Sequence, residues 1–90
     1  MSSEVFVFTL NGCSHCVDLK NKLIEVSIPY TEIEITNNQK IWDKVVNQTG
    51  HNVLPTIFIK KQNSDTGPVL IPGKDFKNAD DVIPKIKIHL

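Results

Sequence analysis

Arginine is absent from this 90-residue chain, and its ten lysines are matched by ten aspartates and glutamates. A nucleic-acid-binding or polybasic membrane module needs a one-sided excess of positive charge, so both classes are set aside. Long hydrophobic runs are also missing. The longest, Val5–Phe8 and Ile57–Ile59, fall far short of the roughly 20 apolar residues of a membrane-spanning helix. The start, Met1-Ser-Ser-Glu4, lacks the basic stretch and apolar core of a secretory signal, so a cytoplasmic location is expected. Cysteine is scarce, with two residues, too few for the disulfide framework of a small secreted scaffold. An apolar fraction of 40% argues against disorder. The length suits one domain, taken as residues 1–90, and a monomer is expected.

What is present follows a regular order. Glu4–Thr9 is nearly continuously apolar and reads as a strand buried on both faces. Asn11-Gly12 ends it. From Ser14 to about Val26, Cys16, Val17, Leu19, Leu23, Ile24 and Val26 recur at three- and four-residue steps, the pattern of an amphipathic helix. Tyr30–Thr36 alternates, with Ile33 and Ile35 opposite Glu32 and Glu34, as a half-buried strand does. Asn37-Asn38 offers cap chemistry for a helix over Gln39–Gln48, with Ile41 and Val45 on its apolar side. Gly50 suits the left-handed residue past its end. Thr56–Lys60 and Val69–Ile71 read as a hairpin around the turn formers Asn63–Gly67. A last helix is expected from about Asp81, with Pro84 in its opening turn, where proline is tolerated. A βαβ unit followed by a hairpin and a helix predicts an α/β fold: a four-stranded mixed sheet flanked by three helices.

Both cysteines sit in one tetrapeptide, Cys13-Ser14-His15-Cys16. A bridge across two residues closes too small a loop to restrain the unfolded chain much, so the pair reads as chemistry rather than as a staple. Cys13 falls where strand meets helix, and the free N–H groups of the first turn favour its thiolate. Cys16, three residues on, lies on the same helix face within reach of it. These positions assign attack on a disulfide to Cys13 and resolution of the mixed disulfide to Cys16. Zinc normally needs four ligands, which here would require His51 and His89 to join the cysteines. Val17 after the second cysteine excludes the covalent haem pattern. No metal is expected. Pro55 is either an ordinary first strand residue or the second residue of a cis Leu54–Pro55 bond.

Cys13-Ser-His-Cys16 after the first strand, together with Lys40–Ile59 and its Thr-Gly turn and Leu54-Pro55-Thr56 segment, resembles a dithiol glutaredoxin of the thioredoxin fold. The resemblance covers nearly the whole chain and is strongest over residues 5–59. It implies a thioredoxin-like fold and a thiol–disulfide oxidoreductase that reduces protein or glutathione mixed disulfides with glutathione as co-substrate. Cys13 would be the nucleophile and Cys16 the resolving thiol. His15, Leu54, Pro55, Asp80 and Asp81 would bind glutathione, the acidic pair holding its γ-glutamyl end; Asp75 is the alternative to Asp80 there. No resident cofactor is implied, although Ser14, in place of the proline usual after the first cysteine, leaves open a [2Fe–2S] cluster bridged between two protomers with glutathione. Leu10 stands where the family carries lysine, and Trp42 where it carries glutamine or a basic residue. These departures motivate a second reading, an electron donor reduced by thioredoxin reductase and serving, for instance, ribonucleotide reductase.

Overall fold

The computed structural model describes residues 3–61, 64 and 67–90. Four strands, β1 (Ser3–Thr9), β2 (Thr31–Glu34), β3 (Thr56–Lys61) and β4 (Val69–Leu70), form one sheet in the order β2-β1-β3-β4. β1 pairs parallel with β2 and antiparallel with β3, and β3 pairs antiparallel with β4. The helices are α1 (Ser14–Glu25), α2 (Gln39–Thr49) and α3 (Ala79–Lys87). No helix among the described residues is long and apolar enough to cross a membrane. The mixed sheet with flanking helices is the expected architecture. The turn read at Asn63–Gly67 lies largely outside the described residues.

β1 is central, and its alternation feeds two cores. Val5 and Val7 share one cluster with Ile57, Ile59, Leu19, Leu23, Val82, Ile83 and Ile86, so α1 and α3 cover that face. On the other face, Phe6 stacks on Phe58 and Phe8 meets Trp42 of α2, with ring centroids 5.4 Å apart. Trp42 is the buried residue of α2, and its Nε1 donates to Asn52 Oδ1 at 3.3 Å. Ile41, expected on the apolar side, is exposed. In α1 the buried residues are Cys16, Leu19 and Leu23. Val17 and Ile24, read from the same periodicity as core positions, face solvent, Ile24 being 66% exposed. The apolar stripe is therefore narrower than its composition suggests.

The element boundaries differ where side chains redirect the backbone. β2 stops at Glu34, two residues early, because Ile35–Asn37 curls into a 3-10 turn. Asn38 Nδ2 donates back to the Glu34 carbonyl at 2.9 Å, and its side chain makes no cap bond to α2, contrary to expectation. α1 ends without glycine: Ser27 takes φ 60°, and its N–H and that of Ile28 reach the Ile24 and Leu23 carbonyls, a Schellman closure. α2 ends on Gly50 at φ 76°, as read.

α3 begins at Ala79 rather than Asp81, which places Pro84 in the helix interior. Two reciprocal bonds explain the earlier start. Asn78 Oδ1 accepts the Asp81 N–H, and Asp81 Oδ2 accepts the Lys77 N–H, both at 2.8 Å, which is capping-box logic. Interior proline costs about 3 kcal/mol; the cap and the burial of Val82, Ile83 and Ile86 offset it.

One polar network ties α1 to the sheet. Glu32, in register with Val7, accepts from the buried Thr9 hydroxyl at 2.7 Å and from Lys20 Nζ at 2.9 Å. The Thr9 bond first, and then Lys20, hold its carboxyl below the usual range.

Truncating Trp42 to alanine should cost about 3–5 kcal/mol, the range for large aromatic core residues, read as a lower urea midpoint with unchanged slope. Because the folded pKa of Glu32 is depressed, its contribution is present above the unfolded value and lost as the pH falls through the folded one. Glu32→Gln should therefore destabilise at pH 7 by at most ~1 kcal/mol, since the side chain is 37% exposed. The gap to wild type should narrow as the pH falls below the ordinary carboxylate range; a gap that stays constant as the pH falls contradicts the assignment to charge.

Candidate active site

The end of β1 and the start of β3 pair at one end of the sheet, where the chain turns into α1. Leu10-Asn11-Gly12-Cys13 is a tight turn closed by the Cys13 N–H to the Leu10 carbonyl at 3.1 Å. Gly12 has φ 85°, the left-handed third position that a type II turn reserves for glycine. The turn sets Cys13 as the N-cap of α1, with extended backbone.

Its Sγ accepts the Cys16 N–H at 3.2 Å. Cys13 and Cys16 are joined as a disulfide, with Cα atoms 5.3 Å apart. Burial separates the two sulfur-bearing residues: Cys13 is half-buried, while Cys16 is 1% exposed.

A cleft of ≈ 530 Å³ opens along α1; neither cysteine lines it, but His15, between them in sequence, does. One wall is α1, through His15, Asp18, Leu19, Asn21, Lys22 and Glu25. Leu54 and Pro55, joined by a cis peptide bond, form its floor before β3 begins. The opposite wall runs from Pro72 through Phe76, Lys77, Asn78 and Ala79 to Asp80 at the start of α3. Four of the five residues expected to meet a ligand, His15, Leu54, Pro55 and Asp80, thus line one cavity.

Asp81 does not line it. Its carboxylate accepts the Lys77 N–H and lies 3.5 Å from Lys85 Nζ. The Lys77 bond, more than Lys85, holds its pKa down. Asp75 is also turned inward, accepting the Ile71 N–H at 2.8 Å. Of the acidic residues weighed for one role, Asp80 is the one facing the cleft.

Sequence reasoning missed Lys22. Its Nζ lies 2.8 Å from Asp80 Oδ1 and 3.6 Å from Glu25 Oε1. Asp80 chiefly, and then Glu25, raise its pKa. The signal was available: positions 15, 18, 22 and 25 form one stripe of a helix with 3.6 residues per turn. Lys40 and Lys44 do not line the cleft.

Neither remaining histidine approaches the sulfurs as a zinc ligand would. The His89 carbonyl accepts from Ser3 Oγ at 2.7 Å, and its Nδ1 lies 3.3 Å from Lys61 Nζ. Ser3 starts β1 and the cysteines follow its far end, about 20 Å away for a seven-residue strand. His89 is thus a partly buried tie between β1 and the C-terminal end of the chain. His51 is exposed. Among the described residues no group of three or more histidine, cysteine or acidic side chains is placed to hold a metal ion.

Similarities to known proteins agree with this geometry. Two solved structures share the fold: a malarial protein (TM-score 0.60, 20% identity, 100% of this chain and 99% of that one), and thioredoxin-2, a component of malaria parasite protein secretion machinery (TM-score 0.57, 19% identity, 98% and 84%). N-acetyl-S-hydroxy-L-cysteine reductase of Bacillus subtilis is 29% identical over 64 residues, 71% of this chain and 69% of that protein. Glutaredoxin 1 of Rickettsia conorii is 35% identical over 57 residues, 61% of this chain and 56% of its own length. The glutaredoxin family model matches residues 5–63. With the Cys13–Cys16 pair at the start of α1, the chain belongs to the glutaredoxin family and is a thiol–disulfide oxidoreductase.

Proposed function

We propose that this chain reduces mixed disulfides of protein and glutathione, drawing its electrons from glutathione, with Cys13 as nucleophile and Cys16 as resolving thiol. One observation carries the reading: Cys13 Sγ accepts a first-turn N–H of α1 two residues before His15, which lines one cavity with Leu54, Pro55 and Asp80.

The chemistry follows from these positions. In the reduced protein the Cys13 thiolate gains the Cys16 N–H and the positive end of the helix, both of which favour the anion. It attacks the glutathionyl sulfur of the substrate; the old S–S bond breaks and the protein thiolate leaves and is protonated. A second glutathione thiolate attacks that same glutathionyl sulfur, giving glutathione disulfide and restoring the Cys13 thiolate. With a protein disulfide lacking a glutathionyl half, Cys13 attacks one substrate sulfur and the other leaves as a thiolate; Cys16 then attacks the Cys13 sulfur, the bound substrate sulfur leaves as a second thiolate, and two glutathione molecules reduce the resulting Cys13–Cys16 disulfide, leaving as glutathione disulfide. Buried Cys16 meets Cys13 and not an external disulfide, which keeps the two roles apart. No resident cofactor enters either route.

The cleft supplies contacts for a peptide thiol. The Leu54 backbone lies ahead of the β3 ladder, beside Pro55, where an extended peptide can pair with it. His15 lines the cleft at the start of α1, and Lys22, paired with Asp80, lines it about two turns further along the helix.

Replacing Cys13 with serine should reduce turnover at least about a hundredfold, because the hydroxyl is not ionised at neutral pH as a thiolate is. Replacing Cys16 with serine should spare glutathione-linked turnover within a few-fold while abolishing reduction of protein disulfides without a glutathionyl half. Oxidation of NADPH coupled through glutathione reductase reads both. Electrons accepted from thioredoxin reductase and not from glutathione would replace this reading with that of a reductase-linked donor. In the reduced protein, alkylation of Cys13 by iodoacetamide should titrate with a midpoint below the roughly 8.5 of a free cysteine; a midpoint at or above that value removes the helix-cap argument.

A further inference from the structure

The far end of the cleft is an ionic cluster that the family resemblance did not anticipate. Lys22 stands between two carboxylates, 2.8 Å from Asp80 and 3.6 Å from Glu25. The side chains of Asp80 and Glu25 are 78% and 69% exposed, so both remain open to an incoming ligand. Asp18 adds a third negative charge on the α1 wall and Lys77 a second positive one on the α3 wall. Without Lys22, two neighbouring carboxylates would face each other with no ammonium between them.

We propose that Lys22 is a specificity-determining residue. By pairing with Asp80 it makes this end of the cleft complementary to an α-amino-acid end group, which carries ammonium and carboxylate together. Such a group enters by exchange of partners: its ammonium takes the Asp80 and Glu25 carboxylates, and its carboxylate takes Lys22. No unpaired charge is left on either side, whereas an arm bearing one of the two charges alone leaves a residue of the pair without its partner. The reach is set by the helix. Lys22 lies nine positions after Cys13, about 13 Å along α1, so the end group sits one or two residues beyond the reacting cysteine of the substrate. This deepens the glutathione reading of the same cleft and rests on it for the class of peptide disulfide.

The test uses the full chain with Cys16→Ser, reduced, and three symmetrical disulfides. They are γ-glutamyl-cysteinyl-glycine, which carries both charges, γ-aminobutyryl-cysteinyl-glycine, which carries the ammonium alone, and glutaryl-cysteinyl-glycine, which carries the carboxylate alone. The Cys13 thiolate attacks one probe sulfur, one peptide leaves as its thiolate, and the other stays on Cys13 as a mixed disulfide. Mass spectrometry gives each second-order rate. Lys22→Met should raise the ratio of the ammonium-only to the carboxylate-only rate about tenfold at low salt, each rate moving severalfold in opposite directions, as expected for an exposed ion pair. Lys22→Arg should hold the ratio, and Asp80→Asn should lower it. A purely structural role for Lys22 slows all three probes alike. A ratio that moves less than about twofold with Lys22→Met overturns the proposal. The glutathione reading is judged separately, by whether glutathione disulfide reacts faster than the neutral 2-hydroxyethyl disulfide with Lys22 intact. Failure there with a shifted ratio leaves Lys22 in place and removes glutathione.

Discussion

Everything at the reactive edge depends on where α1 begins. The helix has free N–H groups in its first turn that need an acceptor, and the side chain supplying one is the Cys13 sulfur. This single contact does two things. It satisfies a cap position that would otherwise call for serine, threonine, aspartate or asparagine, and it places the sulfur where the helix favours negative charge. The turn at Gly12 is what lets the chain leave β1 and arrive at that position. A shift of the helix start by one residue would move Cys13 into the first turn and rotate Cys16 off the buried face. The chemistry and the fold therefore share one constraint, and neither is set independently of the other.

β1 carries that constraint into the rest of the molecule. As the central strand it pairs with β2 and β3, and its alternate residues serve two cores. The Thr9–Glu32–Lys20 network lies just before the reactive turn and fixes α1 laterally. Trp42, from the other face, packs on Phe8 one residue earlier. The residues nearest the cysteines in sequence are thus held from both sides of the sheet before the chain reaches the exposed turn. This suits a site in which Cys16 stays enclosed while Cys13 meets substrate.

Much of this was legible in the residues. Apolar runs, periodicity and turn residues place the strands and helices to within a few residues, and Cys-Ser-His-Cys with Leu-Pro marks the two segments that meet at the site. What escaped was chosen by side chains competing for backbone groups. Asn38 reads as a cap, yet its amide turns back to Glu34. Pro84 reads as a helix start, yet the reciprocal bonds of Asn78 and Asp81 start the helix earlier. Ser27 closes α1 in a conformation usually left to glycine. Composition gives equal weight to alternatives that differ by about 1 kcal/mol per cap bond, and only the assembled neighbours decide among them.

The acidic pair shows the same limit with more consequence for function. Asp80 and Asp81 are equivalent as letters, and both suit the first turn of a helix. The cap claims Asp81, whose carboxylate must reach back to the Lys77 N–H, and helix rotation then turns Asp80 toward α1. There it meets Lys22, on a stripe of α1 that hydrophobic periodicity defines only by what it leaves out. The neutral balance of the composition is thus distributed unevenly. Two ammonium groups and three carboxylates line one cavity, and the ion pair between the walls decides how much of that acidity a ligand encounters. A chain without arginine has no bidentate, permanently charged fork with which to grip a carboxylate. It has instead a lysine already shared between two carboxylates. Such an arrangement favours a ligand that replaces both partners at once over one that binds by charge alone.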